Sequence, residues 1–411
     1  MKTCYHARVL RRRTNKEDQE LRRLREEVEQ QRWEIAEALK KATERAERLG
    51  KLRARVEAAE KERDRLAGEV DALRSQLHEV RRDAPAVAAD PPVFFIFGHG
   101  KSGTTWVQDL LDSHPEVLCK GEGRFFGRDF LDVVEQEGLQ MDGLATVQPT
   151  SLYGALAASE HLKTWVERSV WSRGGDEEHH VMRLVRLAVG HFLAEDLFSN
   201  GESIVGDKTT ITGPGVLYEV AAIYPEAKVV HVLRDGRDVA VSMIHHMWNY
   251  ASDVGGFYDL GPDDLAKRDA YRERRLASTE SLFTERRLLN IARVWRTEVE
   301  GARRASAMFG ENWAEVRYED LLKNPHEELA RLFAFLGVAD DSDTVGRCVD
   351  TNAFERWTEG RKPGQEESSS FYRKGEAGDW RNAFTERDKD IFKRAAGKTL
   401  VEIGYERDAD W

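Results

Sequence analysis

The sequence predicts a three-layer α/β/α domain with a central parallel sheet, preceded by a long N-terminal coiled-coil helix. Three observations lead there. Apolar residues recur every seven positions between residues 21 and 80. From residue 93 onward, short and fully apolar runs alternate with amphipathic stretches of helical period. Between the two regimes stands APAVAADPP (84–92), whose prolines lack the N–H that a continuing helix needs. The expected boundaries are 1–83 for a basic N-terminus and coiled-coil helix, 84–92 for a linker, and 93–411 for one large domain.

Charge divides at the same place. The 411 residues carry 63 Lys+Arg and 74 Asp+Glu, a net charge of −11. Residues 1–83 hold 23 basic and 18 acidic side chains, net +5, and 84–411 hold 40 and 56, net −16. That balance argues against a broad basic field for nucleic acid. Cys4, Cys119 and Cys348 offer no disulfide framework and no paired zinc spacing, so no metal is expected. The basic N-terminus has no apolar stretch behind it, and no run approaches the ~20 residues of a membrane helix. A cytoplasmic location is the expectation that follows.

The coiled coil rests on two interleaved series. One is Leu21, Val28, Ile35, Ala42, Leu49, Val56, Arg63, Val70 and Leu77; the other is Leu24, Gln31, Ala38, Arg45, Leu52, Ala59, Leu66, Leu73 and Val80. Of these 18 positions only Gln31, Arg45 and Arg63 are polar. At 1.5 Å per residue the span makes a rod of roughly 90 Å. Such a helix cannot bury its seam alone, and no second heptad tract exists to fold back on it. The expected partner is a second copy of the chain, giving a parallel homodimer.

Val93 to Phe97 reads as a buried strand and runs into Gly98-His99-Gly100-Lys101-Ser102-Gly103-Thr104-Thr105-Trp106, with Val107, Leu110 and Leu111 on the buried face of the helix that follows. A strand, a Gly-rich turn and a helix N-terminus form an anion site, because free N–H groups and the helix dipole favour negative charge. Nucleoside-triphosphate loops end Gly-Lys-Ser/Thr, with the hydroxyl on magnesium. Here Gly103 follows Gly100-Lys101-Ser102 and Phe95 stands where that pattern has its first glycine, so the loop is P-loop-like: it cradles phosphate without matching the metal-binding pattern.

Ala227 to Leu233 reads as a second buried strand, followed by Arg234-Asp235-Gly236-Arg237-Asp238 and a helix that carries Ser242. The planar fork of Arg234 suits a phosphate, and Ser242 can add a hydroxyl to the same group. Trp313 to Tyr318 is a further strand, leading to an amphipathic helix from Pro325 to Leu336. The basic, Gly-punctuated segment from Phe371 to Asn382 suits a clamp over an anionic ligand.

GKSGTTW (100–106), RDGRDVAVS (234–242) and RKGEAGDWRNAFT (373–385) resemble the three signature segments of the sulfotransferase family, across roughly residues 92–404. That family uses 3′-phosphoadenosine 5′-phosphosulfate (PAPS) as donor. The resemblance implies that Lys101, Ser102, Gly103, Thr104 and Thr105 hold the 5′-phosphosulfate and that Trp106 stacks on adenine. It implies that Arg234 and Ser242 hold the 3′-phosphate, with Arg373, Lys374 and Gly375 closing over it, and that Tyr318 approaches the nucleotide. Thr351 and Phe354 fall near the adenine by the same comparison. No metal is required, since the moving group carries less charge than a γ-phosphoryl group and cations with N–H donors can neutralise the leaving phosphate.

Cytosolic members of the family place a histidine two residues after a lysine as the base. Here that stretch is Asp207-Lys208-Thr209-Thr210, so Lys208 matches the lysine that assists the leaving oxygen and Thr210 replaces the histidine. Golgi-type and several bacterial relatives use a glutamate shortly after the first helix, a place held here by Glu122. Glu122 is the expected base and His99 the alternative; Asp207 is expected to orient Lys208. Phe125, Phe126, Trp165, Trp171, Trp248 and Tyr250 are candidates to line the acceptor pocket. The expected function is transfer of a sulfuryl group from PAPS to a hydroxyl or amine, small-molecule, glycan or peptide. A kinase-like nucleotide enzyme and a non-catalytic coiled-coil scaffold are the rivals.

Overall fold

The computed structural model describes residues 29–32, 39, 40, 50, 58, 61, 65, 91–127, 151–168, 177–195, 201–209, 214–250, 260–277, 279–408, 410 and 411. The chain divides into two compact units, Met1–Ala88 and Ala89–Trp411. In the first, the described residues are helical and exposed. Of the heptad seam only Gln31 is among them, and the other positions lie outside the described residues.

The second unit is built on five parallel strands: β1 (Val93–Phe97), β2 (Val117–Gly121), β3 (Ile204–Thr209), β4 (Lys228–Leu233) and β5 (Trp313–Arg317), in the order β2-β3-β1-β4-β5. β1 is VFFIF, buried at every position, because it is the central strand and is covered on both faces. Its register pairs Phe95 with Asp207 of β3 and with Val229 of β4. β2 alternates buried and half-buried residues, so no continuous apolar run marks it in the sequence. β5 stops at Arg317, and Tyr318 opens a helix instead of ending the strand.

The helices are α1 (Thr104–Asp112), α2 (Leu152–Ala157), α3 (Glu160–Arg168), α4 (Glu177–Ala194), α5 (Pro214–Ile223), α6 (Gly236–Tyr250), α7 (Pro262–Arg272), α8 (Glu285–Ser306), α9 (Tyr318–Lys323), α10 (Pro325–Leu336), α11 (Ser342–Thr351), α12 (Phe354–Trp357), α13 (Trp380–Ala383) and α14 (Glu386–Glu402). Strand alternation sorts the core into two layers. Phe94, Ile96, Val230 and Val232 pack with Val107, Leu110, Leu332 and Phe333, from α1 and α10. Phe95, Phe97, Val205 and Val229 pack with Val185, Val189, Leu217 and Ala302, from α4, α5 and α8. A third cluster joins α6, α8 and α14 around Trp295 and Phe392. The helix predicted from Pro325 has an αL Gly337 as its C-terminal stop.

After β1 the chain crosses to β2 on one side of the central strand, and after β3 it reaches β4 on the other. The carboxyl ends of β1 and β4 therefore flank a topological switch point, where open α/β sheets bind ligands. The loops at those two ends carry Lys101 and Arg234.

Candidate active site

The loop after β1 is held in a conformation few sequences allow. Lys101 sits at φ 71° and Gly103 at φ 95°, both in the left-handed region. A Cβ on Gly103 would come within 2.6 Å of the Tyr318 ring, and one on Gly98 within 2.6 Å of the Val232 carbonyl. The Ser102 N–H donates to the His99 carbonyl at 3.0 Å, closing the turn. No side chain caps α1, whose N-cap residue is Gly103, so the N–H groups of its first turn have no side-chain capping partner.

Three cations converge on this turn. Burial, then Arg234, then Lys208 push the Lys101 ammonium down to about 8. Its Nζ stands 3.8 Å over the Phe371 ring. Arg234 donates from Nη1 to the Lys101 carbonyl at 3.0 Å and from Nη2 to the Glu376 carbonyl at 3.2 Å. Its guanidinium lies 4.2 Å over the Tyr318 ring, and its buried Nε has no partner among the described residues. Trp295 fixes the turn from below: its Nε1–H donates to the Arg234 carbonyl at 3.2 Å. The ring also lies where a Cβ on Gly236 would stand.

Ser242 lines one cleft together with Lys101, His246, Phe371 and Arg373. The C-terminal clamp residues are engaged with a carboxylate. Arg373 Nη2 donates to Asp379 Oδ2 at 2.5 Å, and Lys374 Nζ donates to Asp379 Oδ1 at 2.6 Å. Burial pushes Asp379 up, but the bonds from Lys374 and Arg373 outweigh it and hold the carboxyl at about 2. Gly375, at φ 65°, leaves room for the Phe354 ring, which a Cβ would meet at 2.6 Å. Asp238 accepts from the Gly378 N–H at 2.5 Å and the Trp380 N–H at 2.9 Å, tying this segment to the start of α6. Trp106 is half-buried, with its indole N–H on the Asn352 carbonyl at 3.2 Å and its ring edge-on to Tyr318 at 5.9 Å. Thr351 is exposed at the end of α11.

On the β2–β3 side, Lys208 Nζ donates to Glu122 Oε1 at 2.8 Å. The lysine side chain is 5% exposed and the glutamate 51%, so the carboxylate reaches outward from a buried cation. Asp207 does not bond Lys208: its Oδ1 accepts from the Gly123 N–H at 3.0 Å, and burial raises it to about 7. It thereby holds the turn that presents Glu122. The His99 ring is buried, with Nδ1 at 2.6 Å from the Gly100 carbonyl and Nε2 3.8 Å from Glu298 on α8. Thr210 lies outside the described residues, as does Trp171. Of the aromatic pocket candidates, Phe125 and Trp248 are core and Trp165 is exposed, while Tyr250 lines the cleft.

The sequence reading missed His246. It lies one turn beyond Ser242 on α6 and lines the same cleft. Burial and Lys101 push its imidazole down to about 4, opposed by Glu122. Only an i, i+4 spacing from Ser242 could have flagged it. No helix among the described residues is long and apolar enough to cross a membrane, and no cluster of three metal-ligating side chains occurs among them.

The family model described as Sulfotransferase family matches residues 92–342, more than half of the chain. Protein-tyrosine sulfotransferase 1 of Danio rerio is 24% identical over 280 residues, 65% of this chain and 60% of that protein. Sulfotransferase 1A1 of Rattus norvegicus is 24% identical over 198 residues, 44% of this chain and 58% of that protein. The chain thus spans about three-fifths of the length of these two relatives. Among solved structures, a mouse sulfotransferase complexed with PAP is 14% identical, covering 77% of this chain and 87% of that one, with a TM-score of 0.42. The expected cytoplasmic location is overturned here, because the relative matched over 65% of the chain is a protein-tyrosine sulfotransferase. A low cysteine count and the lack of an apolar run, on which that expectation rests, do not fix a compartment.

Proposed function

Because the chain belongs to the sulfotransferase family, we propose that it moves a sulfuryl group from PAPS to a hydroxyl or amine of an acceptor. One observation carries the reading. Across the switch point, Arg234 is bonded to the Lys101 carbonyl at 3.0 Å while its buried Nε has no partner among the described residues. A buried, unpartnered guanidinium N–H beside a desolvated ammonium is a site that an anion with two phosphate ends would complete.

In this reading Lys101 and the N–H groups of Ser102, Gly103, Thr104 and Thr105 hold the 5′-phosphosulfate. Arg234 and Ser242 hold the 3′-phosphate, and Arg373, Lys374 and Gly375 close beside it. Trp106 and Tyr318 flank the base. Lys208 stands ready to neutralise the oxygen that leaves sulfur, and Glu122, already bonded to it, takes the acceptor's proton. The coiled coil pairs two copies of the chain through its heptad seam, and 84–92 is the linker to the catalytic domain. Labelled PAPS offered with a broad acceptor panel, read by mass shift, tests the reading. Tight donor binding without transfer to any acceptor would leave only a nucleotide-binding scaffold.

A further inference from the structure

We propose that His246 is a second proton acceptor of the transfer step, made competent by the anionic donor seated on Lys101. The proposal rests on the sulfotransferase reading above and adds to it a residue that neither the family motifs nor their spacing point to. Its support is positional. His246 and Ser242 stand four residues apart on α6 and face one cleft, so a residue assigned to the donor and a titratable ring share a wall. The cleft continues through Asn249, Tyr250, Ser370 and Phe371. The His246 ring stands 4.6 Å from Tyr250 and 6.2 Å from Phe371, whose own face lies under the Lys101 ammonium. From the β2 side Glu122 acts on it, and His245 and Arg373 line the same cleft. His246 thus looks into the cleft that the donor cation Lys101 also lines.

The charges explain why it needs the donor. Without an anion, burial and Lys101 hold the imidazole neutral and weakly basic, with Glu122 opposing them. A phosphosulfate on Lys101 cancels that cation's field at the ring while Glu122 keeps its sign, so the ring's basicity rises when the site is loaded. In the transfer itself, the acceptor O–H bond breaks with its proton going to the imidazole, forming imidazolium. The acceptor oxygen bonds to sulfur. The S–O bond to the donor's phosphate breaks with its electron pair on the phosphate, beside Lys101 and Lys208. Glu122, bonded through Oε1 to Lys208, offers its other oxygen to the same proton.

The test uses 3′-phosphoadenosine 5′-phosphate as probe and the full chain, following the histidine ring proton resonances by NMR. His246 is assigned by its absence in His246→Asn. Saturation with the probe should raise the His246 pKa by about one unit or more. Failure of the probe to bind overturns the sulfotransferase reading itself. Binding with His246 unmoved overturns this proposal and leaves that reading standing. A second readout needs only a responding acceptor: the residual turnover of Glu122→Gln should fall at least about tenfold further when His246→Asn is added. An unchanged residual rate would overturn the proposal as well.

Discussion

Glu122 and Lys208 are joined twice: Lys208 Nζ donates to Glu122 Oε1 at 2.8 Å, and the Glu122 N–H donates to the Lys208 carbonyl at 2.6 Å. The backbone bond holds the turn whatever the side chain carries. Glu122→Gln should therefore keep its place and lose its basicity, lowering kcat by about 10²-fold or more. The dissociation constant for 3′-phosphoadenosine 5′-phosphate should change by less than about twofold. Turnover near wild type in single-turnover measurements would remove Glu122 from the mechanism.

Donor affinity should depend on pH through Lys101. Its ammonium sits at about 8 in the free site, lowered by burial, Arg234 and Lys208. A bound anion restores its ordinary value. Below pH 8 the lysine is protonated in both states, and affinity is flat. Above it, binding must take up a proton, and affinity should fall by about tenfold per pH unit. Calorimetry in buffers of differing ionisation enthalpy should read that proton, and Lys101→Met should bind more weakly with no uptake.

Gly103→Ala should damage both fold and site. At φ 95° an L side chain is strained by about 1–2 kcal/mol, and its Cβ would strike the Tyr318 ring. A loss of at least about 2 kcal/mol in denaturant unfolding is expected, with weaker nucleotide binding. Gly346, in α11 with open space around it, is the control: Gly346→Ala should be neutral or stabilising by up to about 1 kcal/mol.

Asp379 is the clamp's counter-charge. Its carboxyl lies at about 2 in the folded chain against an ordinary 3.8. A depressed carboxyl contributes stability that is present above its unfolded value and lost as pH falls toward the folded one. The contribution is roughly 2 kcal/mol at neutral pH. Asp379→Asn should lower stability by about that amount between pH 5 and 8, and the gap to wild type should close between pH 4 and 2. A constant gap across that range would show that the charge is not what Asp379 supplies.

Sedimentation of the full chain against a chain starting at Val93 should give twice the protomer mass for the first and a single protomer for the second. Equal association states would sink the coiled-coil dimer.

Most of the candidate site was legible because its residues lie on continuous segments. Lys101, Arg234 and Ser242 each follow an apolar run that can only be a buried strand, and strand, turn and helix together dictate where their side chains go. The strand before Arg234 and the helix from Pro325 came out within a residue of their ends. What escaped was set by contacts distant in sequence. Asp379 occupies Arg373 and Lys374, Asp207 supports Gly123 rather than Lys208, and Trp295 braces Arg234 from 61 residues away. His246 is invisible for the same reason. A histidine in an amphipathic helix gives no periodicity signal, and only the packing of α6 against the loop after β1 and the segment around Phe371 gives it neighbours.

The aromatic ring under Lys101 changes what a binding constant measures. Phe371 is 3.8 Å from the ammonium and 46% exposed, so the cation is satisfied on one side before any ligand arrives. An anion reaching Lys101 enters an exchange and gives up whatever part of that cation–π contact its approach displaces, worth about 0.5–2 kcal/mol. Affinity is then a difference between two ways of satisfying one charge.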